Sequence, residues 1–230
     1  MRVYAVGDVH GCAIELDRLL TIIADECRTA QVITHLIFLG DLIDRGPASA
    51  EVVARLERRD LPGDRHDFLM GNHEEIMVRV FDGDVGHLEG WLKYGGVQTL
   101  ESYGIEREEI LRLGLDLPSR MRDCIPHRDM EFLRNFRDQL RIGDYLFVHA
   151  GIRPGVALAE QSSRDLRWIR QGFLDDSTDH GFFVIHGHTI CEEPDIASNR
   201  IGVDTGCYQS GRLTAIVLEG ASRRFLHSAE

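Results

Sequence analysis

The sequence predicts one α/β domain, with a parallel sheet in its first half and mixed or antiparallel strand pairing in its second half. Over about the first 80 residues, short apolar runs alternate with amphipathic stretches of helical spacing, as in repeated strand–helix units. After about residue 140, the apolar runs follow one another without long helices between them. The chain of 230 residues shows no repeat, low-complexity segment or linker, and it is long enough to bury one sizeable core. Residues 1–230 are therefore predicted to form a single domain.

The first half contains three predicted strands, and each is followed by a predicted helix. The strands are short and apolar and stop at a glycine, which is typical of buried strands. The first helix has apolar residues at helical spacing, and the second begins just after Pro47, a residue that suits the first helical turn. In chain order, these elements are strand Val3–Val6, helix Ala13–Cys27, strand Leu36–Leu39, helix Ala48–Arg59, strand Asp67–Met70 and helix Glu74–Val80.

The middle of the chain, from Phe81 to about Leu140, has mostly helical patterns and several glycines. We predict a helical insertion, or cap, at about residues 81–140. Short apolar runs then return, and a Ser-Gly turn signal precedes the last of them. The strands predicted in this second half are Tyr145–Val148, Phe182–Ile185, Arg200–Val203 and Leu213–Leu218.

The composition narrows the class of protein. No apolar run approaches the ~18 residues of a membrane span, and a formal net charge of −12 argues against binding along a nucleic-acid backbone. Five cysteines, an odd number without any CxxC pair, argue against a disulfide framework. We therefore expect a cytoplasmic protein that binds neither membrane nor nucleic acid and needs no obligate partner.

Side chains that can bind metal ions follow five of the predicted strands. The stretch VYAVGDVHG ends its apolar run with Asp and His, LIFLGDLIDRGP with Asp, and FLMGNHEE with Asn. The later runs end in HAG and HGHT. Since ligands bind outside the carboxyl ends of strands in open α/β sheets, we expect these side chains to meet at one edge. The candidate metal ligands are Asp8, His10, Asp41, Asn72, His149 and His188.

This mixture of carboxylate, amide and imidazole donors without thiolate suits divalent ions such as manganese, iron or zinc. Six side chains are too many for one catalytic ion with an open position, but they suit two ions that share a carboxylate. We expect Asp41 to be that bridge, and we expect a water between the ions to become the nucleophile. The first ion would take Asp8, His10 and Asp41; the second would take Asp41, Asn72, His149 and His188. Two Mn²⁺ ions are the first choice.

Four further residues fit phosphate chemistry. Arg45 and Arg170 could bind phosphoryl oxygens in bidentate fashion. His73 could protonate the leaving oxygen, and Asp44 could hold its imidazole. Both arginines also have an alternative interpretation without a role in the site. Arg45 could be an exposed residue of a turn, and the arginines near Trp168 share helical spacing, as on a solvated helix face.

Five ordered motifs, GDVHG, GDLIDRG, GNHE, HAG and GHT, closely resemble those of the calcineurin-like metallophosphoesterases. The DRG and GNHE pieces are most similar to the PPP-type serine/threonine protein phosphatases. WLKYGG at Trp91–Gly96 and WIR at Trp168–Arg170 resemble the bacterial and phage lambda group of that branch. The resemblance extends from Val6 to about Gly206, so it spans nearly the whole chain.

The resemblance implies a central β-sandwich of mixed sheets flanked by helices, with two metal ions in the site. It supports the six metal ligands and implies that His73 is the acid, that Asp44 is its partner, and that Arg45 and Arg170 bind the phosphate. One departure is His186, two positions before His188, where animal members have arginine. We expect His186 to be a neighbour of the site rather than a ligand, and Cys12 to pack at a helix start.

The leading functional hypothesis is a metal-dependent phosphomonoesterase that acts on phosphoserine or phosphothreonine in proteins, with phosphotyrosine as a further candidate substrate. The alternative is hydrolysis of a small phosphate compound such as a dinucleoside tetraphosphate, because the bacterial diadenosine tetraphosphatases share these motifs. A nucleotide would need a base platform, for which Trp91 and Tyr94 are candidates. A binding module without catalysis is disfavoured because none of the six ligands is missing.

Overall fold

The computed structural model describes residues 1–229 and, within them, shows two five-stranded sheets packed face to face with helices on the outside. This is the predicted α/β sandwich of mixed sheets. The strands are β1 (Arg2–Val6), β2 (Thr34–Phe38), β3 (Arg65–Phe68), β4 (Gln139–Ile142), β5 (Tyr145–Val148), β6 (Phe183–His186), β7 (Asp195–Ile196), β8 (Arg200–Gly202), β9 (Thr214–Glu219) and β10 (Ser222–His227). The α-helices are α1 (Ala13–Thr29), α2 (Ser49–Glu57), α3 (Asn72–Phe81), α4 (Leu88–Trp91), α5 (Val97–Ser102), α6 (Arg107–Leu113), α7 (Leu117–Cys124), α8 (His127–Arg134), α9 (Ser163–Trp168) and α10 (Cys207–Ser210).

The first sheet has the strand order β10-β9-β1-β2-β3. Its strands β1, β2 and β3 are parallel, as predicted, while β9 runs antiparallel to β1 and pairs with β10 as a hairpin. Strands β1 and β2 are mostly apolar and, except for Arg2, buried, because both faces of this part of the sheet are covered.

The second sheet has the order β4-β5-β6-β8-β7. Strands β5, β6 and β8 are parallel, and the edge strands β4 and β7 are antiparallel to their neighbours. The prediction of mixed pairing in the second half is therefore confirmed.

Alternate residues of β1 show how the layers are built. Val3 and Ala5 pack between the two sheets, whereas Tyr4 and Val6 pack under the helices, as the two-residue period of a strand requires. A third apolar cluster, around Phe173, covers the outer face of the second sheet. The two sheets thus pack against each other through apolar side chains at their centre.

The middle segment forms α4 to α8 and packs in the same apolar cluster as α1 and α2, through side chains such as Leu88, Leu100 and Met130. It therefore extends the helical layer over the first sheet. Its helices end at Arg134 and β4 begins at Gln139, so the predicted end of the insertion near residue 140 is a few residues late.

The strands that the sequence did not predict, β4, β7 and β10, are all edge strands. Edge strands carry polar and charged residues and so lack a strong apolar pattern. In β10, the Arg223 guanidinium lies 3.9 Å from the centre of the Phe183 ring, and Arg224 is paired with Glu26. The paired arginines that look like simple surface charge in the sequence thus belong to a strand.

No helix among residues 1–229 is both long enough and apolar enough to cross a bilayer.

Candidate metal centre

The six predicted ligands lie together where the two sheets meet. Asp8, Asp41 and Asn72 directly follow or lie close behind β1, β2 and β3, while His149 and His188 follow β5 and β6. All six side chains are buried. The carboxyl ends of parallel strands from both sheets therefore supply one site, whereas the sequence predicted a single sheet edge.

The backbone turns sharply after these strands. His10, Asp41 and His188 have positive φ angles of 45°, 50° and 65°, which non-glycine residues adopt rarely and mostly where the surroundings hold them. The amide of His10 donates to the carbonyl of Asp41 at 2.9 Å, which links the first two loops. The side chains can therefore turn back toward the sheet edge directly after each strand.

Asp41 lies at the centre of the site. One of its carboxylate oxygens is 3.7 Å from His10 Nε2, and the other is 3.4 Å from His149 Nε2. Asp41 belongs to two groups of side chains whose ligand atoms could hold an ion: His10, Asp41 and His73 in one, and Asp41, His149 and His188 in the other. A carboxylate shared by two such groups has the arrangement expected of a bridging ligand.

Asp8 and Asn72 lie beside these groups. Asn72 Oδ1 is 3.0 Å from His149 Nε2, so it can join the second group. The Asp8 carboxylate accepts the backbone N–H of His188 at 3.1 Å and is not part of either group. Its assignment to the first ion stays a prediction.

Two of the histidines are oriented by backbone carbonyls. His10 Nδ1 lies 2.8 Å from the Ile43 carbonyl, and His149 Nδ1 lies 2.9 Å from the Leu39 carbonyl. A carbonyl can only accept, so each Nδ1 carries a proton that it donates to the carbonyl, and each Nε2 faces Asp41. Outer hydrogen bonds of this kind fix the tautomer of metal-binding histidines.

The donor set fits divalent cations. Burial lowers the pKa of His10 to about 3 and that of His188 to about 2, so both imidazoles stay neutral. Within the described residues, the Nε2 atoms of these two histidines are buried without a hydrogen-bond partner, as is Asp204 Oδ2. Neutral imidazoles with a free nitrogen next to carboxylate oxygens are ligands that such ions prefer.

The charges of the buried carboxylates also favour the binding of a cation in this site. Burial and the nearby charges of Asp204 and Asp41 raise the pKa of Asp8 well above its ordinary value. Burial opposes a charged His149 imidazole, but the charge of Asp41 outweighs it and raises the pKa of His149. The site thus concentrates buried negative charge that a cation would neutralise.

Glu74 is a residue of this site whose role the sequence reasoning missed. Its buried carboxylate accepts the backbone N–H groups of Asp41, Leu42 and Gly71 at 2.7–3.1 Å, and so ties the loop after β2 to the start of α3. The sequence contains a signal for this role. Glu74 is the third residue of α3, a position at which a glutamate side chain often accepts the backbone N–H at the start of its own helix.

His73 is paired with Asp44 as predicted. His73 Nδ1 donates to Asp44 Oδ2 at 2.6 Å, and Arg45 Nη2 lies 3.3 Å from His73 Nε2. Burial opposes the charged imidazole, but the charge of Asp41 and the hydrogen bond to Asp44 outweigh it and raise the pKa of His73 to about 9. A proton on His73 at neutral pH suits a proton donor, which stays its predicted role.

Arg45 and Arg170 both line a pocket of about 530 Å³ that opens beside the metal ligands. The Arg170 guanidinium donates to the carbonyl of His188 at 3.0 Å, and the Arg45 guanidinium lies 4.9 Å from the centre of the Tyr208 ring. Arg170 does not lie on a helix face, because α9 ends at Trp168, and its exposed side chain lines the pocket. Phosphate binding by Arg170 stays a prediction. The other lining residues are Asn72, His73, Ile76, Gly86, His87, Gly90, Trp91, Tyr94, Trp168 and His188.

His186 and Cys12 lie outside the groups that could hold the two ions. His186 Nδ1 donates to the Gly187 carbonyl at 3.0 Å, and its ring packs against Phe173. Burial lowers the pKa of His186 to about 4. Cys12 is a buried thiol that directly precedes α1. Cys12 packs in the apolar cluster under the helices and also lies near Glu15 and Cys207, so the expected roles of both residues stay predictions.

Known proteins resemble this chain both in sequence and in fold. The sequence model of the calcineurin-like phosphoesterase family matches residues 1–208. An asymmetrical bis(5'-nucleosyl)-tetraphosphatase, PrpE of Oceanobacillus iheyensis, is 25% identical, with 94% of this chain and 88% of the relative covered. The fold is similar to that of a provisionally assigned diadenosine tetraphosphatase (TM-score 0.67, 22% identity, 98% of this chain and 93% of the other covered). It is also similar to that of a cold-active protein tyrosine phosphatase (TM-score 0.61, 21% identity, 98% and 78% covered).

Proposed function

This chain belongs to the calcineurin-like phosphoesterase family, and on that premise we propose that it hydrolyses a dinucleoside tetraphosphate with the help of two divalent ions, manganese being the first candidate. The family identifies the chain as a phosphoesterase. The observation that supports a dinucleoside tetraphosphate as the substrate is the lining of the pocket. Exposed aromatic rings stand at the pocket wall together with two arginines. The bis(5'-nucleosyl)-tetraphosphatase name of a relative that covers 94% of the chain supports the same substrate class.

The pocket combines a phosphate end and an aromatic end. Arg45 and Arg170 lie near the metal ligands, whereas Tyr94 is 63% exposed and Trp168 39% exposed at the wall. The Trp168 indole is held by a hydrogen bond from its Nε1 to Glu75 at 3.0 Å. Aromatic rings that face solvent beside phosphate-binding groups suit the stacking of a nucleobase.

The proposed chemistry divides between the ions and the chain. Two divalent ions held by the six ligands would activate the attacking water and polarise a phosphoryl oxygen. Arg45 and Arg170 bind the phosphate oxygens and orient the chain of phosphates. His73 donates a proton to the oxygen of the leaving group, while Asp44 keeps its imidazole in place.

The protein phosphatase interpretation receives less support than this alternative. The likeness to a protein tyrosine phosphatase rests on a structure of 21% identity, which concerns the fold. The shared motifs recognise a phosphoryl group and do not distinguish what carries it. The aromatic wall of the pocket favours a nucleotide.

A substrate panel tests the proposal. With manganese-loaded protein, we expect kcat/KM for diadenosine tetraphosphate to exceed that for phosphoserine and phosphotyrosine peptides by at least about 10-fold, because base stacking contributes ~1–3 kcal/mol. Products are separated by ion-exchange chromatography. Preference for a phosphopeptide would restore the protein phosphatase interpretation and overturn the proposal.

The aromatic residues have a separate test. We expect Trp168→Ala or Tyr94→Ala to raise KM for diadenosine tetraphosphate about 10-fold through lost stacking, with little change in KM for p-nitrophenyl phosphate, which carries no base. Leu111→Ala is the matched control, since Leu111 is 78% exposed and is not among the residues that line the pocket. Equal KM changes on both substrates would contradict a base platform.

A further inference from the structure

Asp44, the partner of His73, is held by three side-chain donors. Its carboxylate is fully buried. Asp44 Oδ2 accepts from His73 Nδ1 at 2.6 Å and from Trp91 Nε1 at 2.8 Å, and Asp44 Oδ1 accepts from the Thr99 hydroxyl at 2.6 Å. Two of the three donors thus come from the helical insertion, although the sequence suggested Trp91 only as a candidate base platform and gave no signal for Thr99.

The backbone at Asp44 and Arg45 is held by the same segment. Both residues have positive φ angles, 71° and 69°, a strained conformation that persists only where the surroundings fix it. The Asp44 amide donates to the Thr99 hydroxyl oxygen at 2.9 Å, and the Arg45 amide donates to the Gly95 carbonyl at 3.3 Å. The insertion therefore contributes to fixing the backbone of both residues, together with Ser49 of α2, whose hydroxyl oxygen also accepts the Asp44 amide at 3.0 Å.

The segment Trp91–Thr99 has an irregular backbone, and these contacts require that irregularity. Between α4 and α5, Leu92–Gly96 form a π-helical turn in which Gly95 has a φ of 120°. Such interruptions of a helix occur frequently at functional sites. A Cβ atom on Gly95 would lie 2.4 Å from the amide nitrogen of Arg45, so only glycine permits this approach.

We propose that Trp91 and Thr99 are positioning residues, which orient the Asp44 carboxylate and, through it, the His73 imidazole for proton donation. In the reaction, the proton moves from His73 Nε2 to the leaving oxygen as the bond to phosphorus breaks, while the Nδ1–H stays bonded to Asp44. The inference rests on the proposed role of His73 as the acid. It does not depend on which phosphate compound is the substrate.

A merely structural role would need only the bulk of these side chains. The Trp91 ring lies against Gly96, where an added Cβ would come within 2.5 Å of it, so the ring does fill space. The N–H of the indole and the hydroxyl of Thr99 are what a positioning role needs in addition. Substitutions that keep the shape and remove only the donor separate the two roles.

Four variants are compared in manganese-loaded protein. Trp91→Phe keeps an aromatic ring without the donor, and Thr99→Val keeps the shape without the hydroxyl. Thr99→Ser retains the hydroxyl and is expected to behave as the wild type. Tyr103→Phe is the matched control, because it removes another hydroxyl of the insertion that donates to a buried carboxylate, that of Asp129, at 3.1 Å.

The first readout is the dependence of kcat on the leaving group. We expect Trp91→Phe and Thr99→Val to lower kcat for phenyl phosphate about 10-fold more than for p-nitrophenyl phosphate, whose more acidic phenol needs less protonation. Thr99→Ser and Tyr103→Phe should keep the wild-type ratio. Equal losses on both esters, or unchanged rates on both, would contradict the positioning role.

The second readout does not need turnover and decides alone if neither ester is hydrolysed. The Nδ1 proton of His73 is observed by NMR in zinc-loaded protein labelled with ¹⁵N-histidine, because paramagnetic manganese would broaden this signal beyond detection. We expect its exchange with water to be about 10-fold faster in Trp91→Phe and Thr99→Val than in the other two variants, because local opening of the pair becomes easier. Equal protection in all four variants would overturn the proposal. Failure of the substrate panel alone would overturn only the proposed function.

Discussion

Replacing Asp41 by asparagine is expected to lower kcat by at least about 1,000-fold, because the ions supply several kcal/mol of transition-state stabilisation. The amide keeps the size of the carboxylate but loses its charge. Asp41 faces His10 with one oxygen and His149 with the other, at 3.7 Å and 3.4 Å. The substitution therefore weakens both of the predicted ion sites at once.

The measurement has two parts. Initial rates with saturating manganese give the loss of kcat, and the metal content of dialysed protein shows whether fewer than two ions remain. Asp67→Asn is the matched control, because Asp67 is a β3 carboxylate paired with His35 outside the site. If Asp41→Asn bound two ions and turned over like the wild type, the shared-carboxylate interpretation would be wrong.

Replacing His73 by asparagine is expected to have the second-largest effect, a loss of about 100-fold to 10,000-fold in kcat on phenyl phosphate, the range typical of general acid catalysis. The loss on p-nitrophenyl phosphate should be smaller. Diadenosine tetraphosphate should also be less affected, because its leaving group is a nucleoside phosphate, whose phosphate ionises near pH ~6. The physical reason is that a more acidic leaving oxygen departs without a full proton.

Metal content distinguishes this effect from damage to the ion sites. His73 Nε2 lies 3.8 Å from Asp41 Oδ2, so a role as a metal ligand is the competing explanation. The His73→Asn protein is expected to keep two ions after dialysis and to show its largest rate loss on the ester of the most basic alcohol. A uniform loss on all substrates together with a lost ion would instead make His73 a ligand.

Much of the first sheet could be predicted from the sequence, because the spacing of apolar residues that distinguishes strands from helices lies within each short stretch of chain. The predicted strand Val3–Val6 is short, mostly apolar and rich in β-branched residues, a pattern typical of a buried strand. The edge strand at Ser222–His227 could not be read in this way. Its pairing with β9 is set by the neighbouring strand, and its exposed face carries arginines that look like surface charge.

The substrate class is the point that the motifs leave open. Asp8, Asp41 and Asn72 are predicted to bind ions, and Arg45 is predicted to bind phosphate oxygens, so these residues leave the rest of the substrate open. The protein phosphatase hypothesis followed from the DRG and GNHE details. The relatives and the aromatic wall formed by Tyr94 and Trp168 favour the nucleotide alternative, and that wall exists only in three dimensions.

The sequence by itself determined the kinds of ligand, their order along the chain and their places behind strands, because these depend on residue type and on local backbone geometry. The tertiary structure alone decided which of them meet. It brings His149 to Asp41 from the second sheet, and it brings Trp91 and Thr99 to Asp44 across 47 and 55 residues of chain. Such contacts depend on the packing of the two sheets and the insertion around a common core, and no short stretch of sequence contains that information.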